Sequence, residues 1–173
     1  MPEAEMWHGF FKPEAILDAM KLTADVRDAV DFGCGYGTFI IPAAKRIRGT
    51  LHGFDIEPAM IKTSRRLAKQ ENARNVRLHL RDFVTDGTGL KTASVDYVLL
   101  FNILHADNPA GLLREAWRIL APGGHVGVIH WNYDPETPRG PPMAIRPRPE
   151  DCRNWIKEAG FVIEKKHIDL PPY

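Results

Sequence analysis

The sequence of 173 residues has little of several features that would indicate particular classes of protein. Its two cysteines, Cys34 and Cys152, are too few for a disulfide framework and do not have the spacing of metal ligands. No apolar run approaches the roughly 20 residues that cross a bilayer, and residues 1–6 lack the apolar segment of a secretory signal. The formal net charge is only +1, which disfavours a nucleic-acid partner. We therefore expect a cytoplasmic protein with no metal site and no membrane segment.

Segments typical of strands and helices alternate along the chain. The strands are predicted at or around residues 29–31, 50–56, 75–80, 95–101, 125–131 and 161–168. The run at 95–101 is almost continuously apolar, as expected for a strand buried on both faces of a parallel sheet. The chain is long enough for one domain with a substantial core. We predict a single α/β domain over residues 1–173, with a doubly wound, mainly parallel sheet and helices on both faces.

Two segments interrupt this alternation. Residues 1–12 place several aromatic side chains before the first predicted helix, and these rings either pack on the core or form a flap over a ligand. Residues 132–149 contain six of the fourteen prolines and show no periodicity, which predicts a long loop. Long loops in compact domains often carry function.

A glycine-rich segment, Asp31–Gly37, follows the first predicted strand and precedes a predicted helix. Such a turn brings backbone N–H groups and a helix N-terminus close to a ligand. A dinucleotide fingerprint requires a glycine where this chain has Thr38, and no Walker-type Gly-Lys-Ser/Thr follows. Asp55, about twenty residues downstream, is placed to accept hydrogen bonds from ribose hydroxyls. The sequence thus favours a nucleoside-like ligand without a pyrophosphate.

Five motifs at their joint spacing resemble those of class I S-adenosylmethionine-dependent methyltransferases, and most closely the small type-11-like branch that includes quinone-biosynthesis enzymes. They are Asp31–Gly37, Asp55-Ile56, Arg81-Asp82-Phe83, Asp96–Phe101 and Leu120–Gly124. The resemblance covers roughly residues 10–168. It implies that S-adenosylmethionine is the cofactor and that a methyl group passes to a small molecule by in-line displacement. A non-catalytic S-adenosylmethionine-binding or sensor protein of the same fold is the alternative, and a nucleotide-dependent oxidoreductase is a third reading.

The resemblance also implies which residues bind the cofactor. They are Asp31, Gly33, Cys34, Gly35, Gly37, Asp55, Ile56, Met60, Asp82, Phe83 and Asn102. In similar proteins the glycine turn lies along the methionine part, with Asp31 near its amino group. Asp55 would hold the ribose hydroxyls, while Ile56 and Asp82 would contact the adenine. Asn102 would line the end that carries the reacting methyl. As alternatives, Asp55 and Asp82 are helix caps or solvated acids.

The acceptor site is predicted beyond the fourth strand. His105 is the candidate general base because its ordinary pKa lies near neutrality, although a structural histidine is the alternative. The predicted acceptor-binding residues are Trp7, His8, Phe11, His105 and Trp131, which together favour a flat or apolar small molecule. Residues 102–105 are not the Asn/Asp-Pro-Pro-Tyr/Phe signature of enzymes that methylate amide or exocyclic nitrogens. An anionic or RNA acceptor stays open because of four arginines: Arg139, Arg146, Arg148 and Arg153.

The resembling family usually closes its sheet with a seventh, antiparallel strand, and the sequence stops after the sixth predicted strand. Either the protein ends without that strand, or this sequence lacks a C-terminal tail; we consider the first case. The sheet edge is then expected to be exposed. An exposed edge offers unpaired backbone groups to another chain, so we expect that this protein can form a homodimer there.

Overall fold

The computed structural model describes residues 11–137 and 140–170. Trp7 and His8, with most of the aromatic segment predicted over residues 1–12, lie outside the described residues, and so does Arg139. The helices in the described ranges are α1 (Pro13–Ala19), α2 (Ile40–Arg46), α3 (Pro58–Gln70), α4 (Phe83–Asp86), α5 (Pro109–Ile119) and α6 (Pro149–Glu158). The strands are β1 (Ala29–Phe32), β2 (Leu51–Asp55), β3 (Val76–Leu80), β4 (Val95–Phe101) and β5 (Leu120–Ile129).

The five strands form one sheet in the order β3-β2-β1-β4-β5, and every neighbouring pair is parallel. Strands β2 and β3 are added in turn on one side of β1, and the chain then crosses to the other side of β1, where β4 and β5 follow. Because parallel strands point the same way, their carboxyl ends meet at one edge, and ligands of such sheets bind where the order reverses. That point lies between β1 and β4. The predicted parallel, doubly wound sheet is confirmed.

Two apolar layers cover the sheet. One contains buried side chains of α1, α2 and α3, such as Leu17, Ile40 and Ile61, packed with Leu99 of β4. The other contains Phe83 of α4 and buried side chains of α5 and α6, packed with β1, β2 and β4. Successive residues of β4 thus face opposite layers, and both are apolar. This explains why residues 95–101 read as a continuous apolar run.

A glycine in β2 lets α2 lie close to the sheet. A Cβ added at Gly53 would overlap the Cδ1 methyl of Ile40 and lie 2.9 Å from Cδ2 of Leu78. We expect Gly53→Ala to lower the free energy of unfolding by about 1–3 kcal/mol through overpacking. Chemical denaturation measures this change. The control is Ile40→Val, which removes the Cδ1 methyl of Ile40. Ile40→Val should lower the free energy of unfolding less in the Gly53→Ala protein than in the unchanged protein. Equal costs in both backgrounds would contradict the steric explanation.

The structure corrects three details of the sequence prediction. The predicted strand at 161–168 is irregular, and Val162 within it is 89% exposed, so its alternating apolar residues are not buried together. Helix α5 ends at Ile119, and residues 120–124 already belong to β5, since Leu120 pairs with Val95. A short helix, α4, covers residues 83–86, although residues 84–94 are rich in Thr and Gly and their sequence predicts a loop. In the described part of the chain, β5 is therefore the edge strand on the β4 side of the sheet. An edge strand leaves one side of its backbone unpaired, so β5 tolerates Pro122.

Candidate functional site

The glycine turn follows β1 directly and has an irregular backbone. Gly33, Gly35 and Gly37 all have positive φ values, +76°, +51° and +93°, which side chains with a Cβ rarely adopt. The backbone N–H groups of Gly33 and Cys34 both donate to the carbonyl oxygen of Phe54 in β2, each at 2.9 Å. The turn is thereby fastened to the neighbouring strand. A Cβ at Gly37 would lie 3.2 Å from both Leu67 and Ser64, so the turn also lies close against α3.

Asp55, the last residue of β2, organises this turn through both carboxylate oxygens. Its Oδ2 accepts a hydrogen bond from the N–H of Gly35, and its Oδ1 accepts one from the N–H of Glu57, each at 2.9 Å. Ser64 of α3 donates to the carbonyl oxygen of Gly35 at 2.7 Å. Asp55 is only 8% exposed. Since an ionised carboxylate has about four lone-pair sites, both oxygens can accept further hydrogen bonds from a ligand hydroxyl.

Asp31 is the second buried acid of the site, at 3% exposure within β1. Burial and, to a smaller extent, the nearby charge of Asp55 together raise the pKa of Asp31 to about 7. A cationic group placed beside this carboxyl would offset both effects and favour its ionised form. The position therefore suits a ligand ammonium group.

Apolar side chains are exposed at the ends of β2 and β3. Ile56, the residue after β2, is 55% exposed, and Leu80, which pairs with Asp55 at the end of β3, is 56% exposed. Asp82 caps α4, because its Oδ1 accepts hydrogen bonds from the N–H groups of Val84 and Thr85, both at 3.1 Å. These hydrogen bonds hold the pKa of Asp82 below its ordinary value. The structure thus shows Asp82 as a helix cap, the role that the sequence left as an alternative. The exposed side chain of Leu80 precedes this cap by two residues.

Besides the two buried acids, three further predicted cofactor residues have buried side chains. Cys34, Met60 and Phe83 are 5%, 8% and 4% exposed, respectively. Burial, together with the neighbouring acids, raises the pKa of the Cys34 thiol, so it stays protonated. Phe83 packs edge-on against Phe32, with ring centroids 5.3 Å apart. Their side chains contribute to the packing beneath the site.

Two histidines come together beyond β4 and β5. His105 follows Asn102, whose φ of +56° turns the chain away from the sheet. His130 follows β5 directly, and the two imidazole rings lie 5.6 Å apart between centroids, at 72° to each other. Burial lowers the pKa of His105. Burial likewise lowers the pKa of His130, to about 4, and the positive charge of Arg146 acts in the same direction. Both rings are therefore neutral at pH 7.

Sequence reasoning did not identify His130. The signal available was its position: a polar side chain immediately after a strand, as for Asn102 after β4. The pairing of β4 with β5 brings His130 close to a residue 25 positions earlier in the chain, and a linear pattern does not reveal that proximity.

Phe11 and Trp131 belong to an aromatic cluster beside these histidines. The ring of Phe11 lies 5.2 Å from that of Phe39 and 6.1 Å from that of Trp131, measured between centroids. Phe39 in turn contacts Phe101 of β4 edge-on, at 4.9 Å. For Phe11, the structure thus shows packing on the domain's own core, one of the two alternatives that the sequence left open.

The proline-rich loop is organised around one arginine. Arg146 is 7% exposed and donates hydrogen bonds to the carbonyl oxygens of Asn132, Asp134 and Pro141, at distances of 2.9–3.2 Å. A second arginine, Arg148, lies over the ring of Tyr133 at 4.4 Å. The described part of residues 132–149 is therefore ordered without regular secondary structure, and Arg146 serves mainly to hold it.

Two kinds of feature, a membrane-spanning helix and a metal site, are absent from the described ranges. Within residues 11–137 and 140–170, no helix is both long and apolar enough to span a membrane. Over the same ranges, no group of three or more His, Cys, Asp or Glu side chains has the arrangement of a metal site.

Comparisons with known proteins agree with this geometry. Residues 30–126 match a family model described as a methyltransferase domain. Aklanonic acid methyltransferase from Streptomyces sp. (strain C5) is 33% identical over 100 residues, covering 56% of this chain and 44% of the relative. Nocamycin O-methyltransferase from Saccharothrix syringae is 32% identical over 123 residues, covering 69% of this chain and 43% of the relative. The chain thus matches less than half the length of these relatives.

A solved structure shares the fold over nearly the whole chain. A crystal structure of a SAM-dependent methyltransferase from Aquifex aeolicus superimposes with a TM-score of 0.82, at 19% identity, covering 94% of this chain and 86% of the other. The matched family model includes the glycine turn, Asp55, Asp82 and β4. On these grounds, the chain belongs to the class I S-adenosylmethionine-dependent methyltransferases.

Proposed function

We propose that this protein transfers a methyl group from S-adenosylmethionine to a hydroxyl oxygen of a small molecule. The observation that carries the proposal is the placement of the glycine turn, braced by Asp55, at the same sheet edge as His105, whose buried Nδ1 has no hydrogen-bond partner among the described residues. The name of one relative, an O-methyltransferase, supports an oxygen acceptor, and the name of another, aklanonic acid methyltransferase, supports a small-molecule acceptor.

In this proposal the cofactor lies across the carboxyl ends of β1, β2 and β3. The carboxyl of Asp31 receives the ammonium group of the methionine part, and Asp55 accepts hydrogen bonds from the ribose hydroxyls. The adenine lies on the exposed side chains of Ile56 and Leu80, with Asp82 near its amino group. The burial of Asp31 supports its role, because a cationic partner is what an isolated buried carboxyl requires.

The chain's own task is then to orient the acceptor and to take up one proton. When bound, S-adenosylmethionine supplies an electrophilic methyl group on a sulfonium. The residues at this edge of the sheet would hold the acceptor oxygen beside that methyl group and exclude water, which is the main requirement for an in-line displacement. Nδ1 of His105 takes the hydroxyl proton and later releases it to solvent. A neutral imidazole is needed for this, and burial keeps His105 neutral at pH 7 by lowering its pKa.

The aromatic cluster supports a flat acceptor. Phe11, Phe39 and Trp131 form adjoining ring contacts beside the histidines, and such surfaces favour planar, apolar ligands. Arg146 contributes less to an anionic acceptor than its charge suggests, because its guanidinium already donates to three backbone carbonyl groups.

Calorimetric titration and a transfer assay together test the proposal. We expect saturable binding of S-adenosylmethionine and S-adenosylhomocysteine at one site per chain, and no binding of NAD. Radiolabelled methyl groups should then appear on phenols, catechols or enols, and not on matched anilines. Asp25→Asn is the control variant, since the side chain of Asp25 is 93% exposed and lies away from this edge of the sheet. Binding without transfer to any acceptor would favour the sensor alternative, and transfer to anilines alone would contradict a hydroxyl acceptor.

A further inference from the structure

The net charge of the whole chain conceals a strongly basic surface. Residues 62–77 contain six Lys and Arg side chains and a single acid, Glu71, although the whole chain has a net charge of only +1. The remainder of the chain is therefore net acidic. All six cationic residues are exposed, and we call them the basic belt: Lys62, Arg65, Arg66, Lys69, Arg74 and Arg77.

No residue of the basic belt forms an ion pair with an acid in the described ranges. The ion pairs found there involve other cations. Glu71 is itself paired with Lys45, with 2.7 Å between Oε2 and Nζ. Because the charges of the belt add and no carboxylate offsets them, this surface attracts anions more strongly than separate cations would.

Four of the six cations form a stripe on the outer face of α3. Each of these four, at residues 62–69, lies three or four positions from another member, and side chains at this spacing are neighbours on a helix surface. Met60, Ile61 and Ser64 are the buried residues of the same helix, and they pack toward the sheet. The stripe therefore faces solvent along most of α3.

The belt then continues around the edge of the sheet. Arg74 lies between α3 and β3, and Arg77 lies in β3, which is the edge strand on this side of the described sheet. Leu78 packs into the apolar layer of α3, whereas His79 stacks on Phe54 of the other layer, with ring centroids 4.5 Å apart. Successive side chains of a strand face opposite sides, so Arg77 lies on the same side as His79. The belt is thus convex and reaches both sides of the sheet.

A small cavity lies within the belt where α3 ends. It has a volume of about 250 Å³, and its lining includes Lys69 and Arg74 of the belt together with Asn72. Ammonium, guanidinium and amide groups all donate hydrogen bonds to phosphate oxygens. The cavity therefore suits one phosphate group.

The composition and the shape of the belt favour one kind of anion. Four of its six cations are arginines, whose planar guanidinium groups bind phosphate with two parallel hydrogen bonds. A bilayer is flat and a nucleic-acid duplex is stiff, so either one would contact only part of a belt that passes around a sheet edge. A single strand is flexible enough to follow the whole belt.

We propose that the basic belt binds single-stranded nucleic acid through its phosphate groups. The stripe on α3 holds phosphates on one side of the sheet, the cavity receives one at the end of the helix, and Arg77 holds the strand beyond β3. Contacts to phosphates carry no sequence information, so the binding has little sequence preference. The belt lies along β3, whereas His105 follows β4 on the far side of β1, so this binding does not depend on the proposed methyl transfer.

Fluorescence anisotropy of the whole protein with labelled oligouridine and oligothymidine tests the proposal. Strands of about 12 nucleotides match the site sizes of known single-strand-binding surfaces. We expect Kd values of roughly 1–100 μM at physiological salt, and a fall in log affinity with log salt of about 0.7 for each phosphate neutralised. Both strands should bind, and the ratio of their affinities shows whether the surface prefers RNA or DNA. Failure of both strands to bind overturns the proposal.

Two double variants separate the belt from charge in general. Arg65→Ala with Arg66→Ala keeps good helix formers in α3, and it should reduce the salt slope by about 1.4 and weaken binding about ten-fold at physiological salt. Lys165→Ala with Lys166→Ala is the matched control, because it removes the same charge from exposed positions next to Glu164, which contacts His125 of β5. The control should leave affinity and slope unchanged. Equal losses in both double variants would contradict a specific role of the belt.

Two further ligands test the choice of a single strand. Duplex DNA of the same length and vesicles of phosphatidylcholine with phosphatidylserine should bind more weakly than the single strands. Tighter binding of either one overturns the assignment. The affinity for S-adenosylhomocysteine should stay within about two-fold in both double variants. A protein that binds the strands but transfers no methyl group refutes the proposed function alone, and one that transfers methyl groups but binds neither strand refutes the role of the belt alone.

Discussion

Replacing Asp55 with alanine is expected to lower the affinity for S-adenosylmethionine at least about 100-fold. Two backbone N–H groups, those of Gly35 and Glu57, lose the carboxylate that accepts their hydrogen bonds, and the glycine turn keeps only its hydrogen bonds to Phe54 in β2. Each buried N–H left unpaired costs about 1–3 kcal/mol, so the free energy of unfolding should fall as well. Calorimetric titration measures the affinity, and thermal unfolding measures the stability.

Asp55→Asn separates these two effects. The amide oxygen of asparagine can still accept from one of the two N–H groups, so most of the stability should return while the contact of a carboxylate with ribose hydroxyls is lost. Asp25→Asn again serves as the exposed control. If Asp55→Ala binds the cofactor as the unchanged protein does, Asp55 has no part in the site, whatever its effect on stability.

The second large effect concerns turnover. We expect His105→Ala to lower kcat about 10²- to 10⁴-fold, the usual range for removing a general base, with little change in the affinity for S-adenosylmethionine. The two effects differ because His105 lies beyond β4, while the turn and Asp55 lie at the ends of β1 and β2. Single-turnover kinetics at saturating cofactor measure the chemical step. Unchanged turnover would remove His105 from the mechanism.

The pH dependence provides an independent check on the same residue. His105 accepts a proton only when neutral, and burial lowers its pKa below the ordinary value of 6.5. The rate should therefore fall as pH is lowered and the imidazole becomes protonated, and it should reach half its maximum below pH 6.5. A rate that falls by half near pH 7 or above would indicate a different titrating group.

The sequence predicted the five parallel strands because their physical signal is local. A strand buried on both faces must be apolar at successive positions, as β4 is, and the chain between strands must turn, as the glycines at 33, 35 and 37 do. The position of Asp55 at a strand end also followed from local pattern. These features need no knowledge of which parts of the chain meet.

Other features depend on contacts between distant residues and were missed for that reason. The alternation at 161–168 is compatible with a strand, yet a strand forms only where a partner edge pairs with it, and the structure leaves Val162 exposed. His130 becomes a candidate only after β5 is placed beside β4. The N-terminal acceptor residues Trp7 and His8 stay predictions.

The single arginine that holds the proline-rich loop has a consequence for how this protein could change in evolution. Arg146 binds the loop's backbone carbonyl groups rather than its side chains, so most side chains in the loop can be exchanged without disturbing its path. The loop begins directly after His130 and Trp131, whereas the proposed cofactor residues follow β1, β2 and β3 along the same edge of the sheet. New acceptor preferences could therefore arise by substitution in this loop, with Arg146 retained and cofactor binding unaffected.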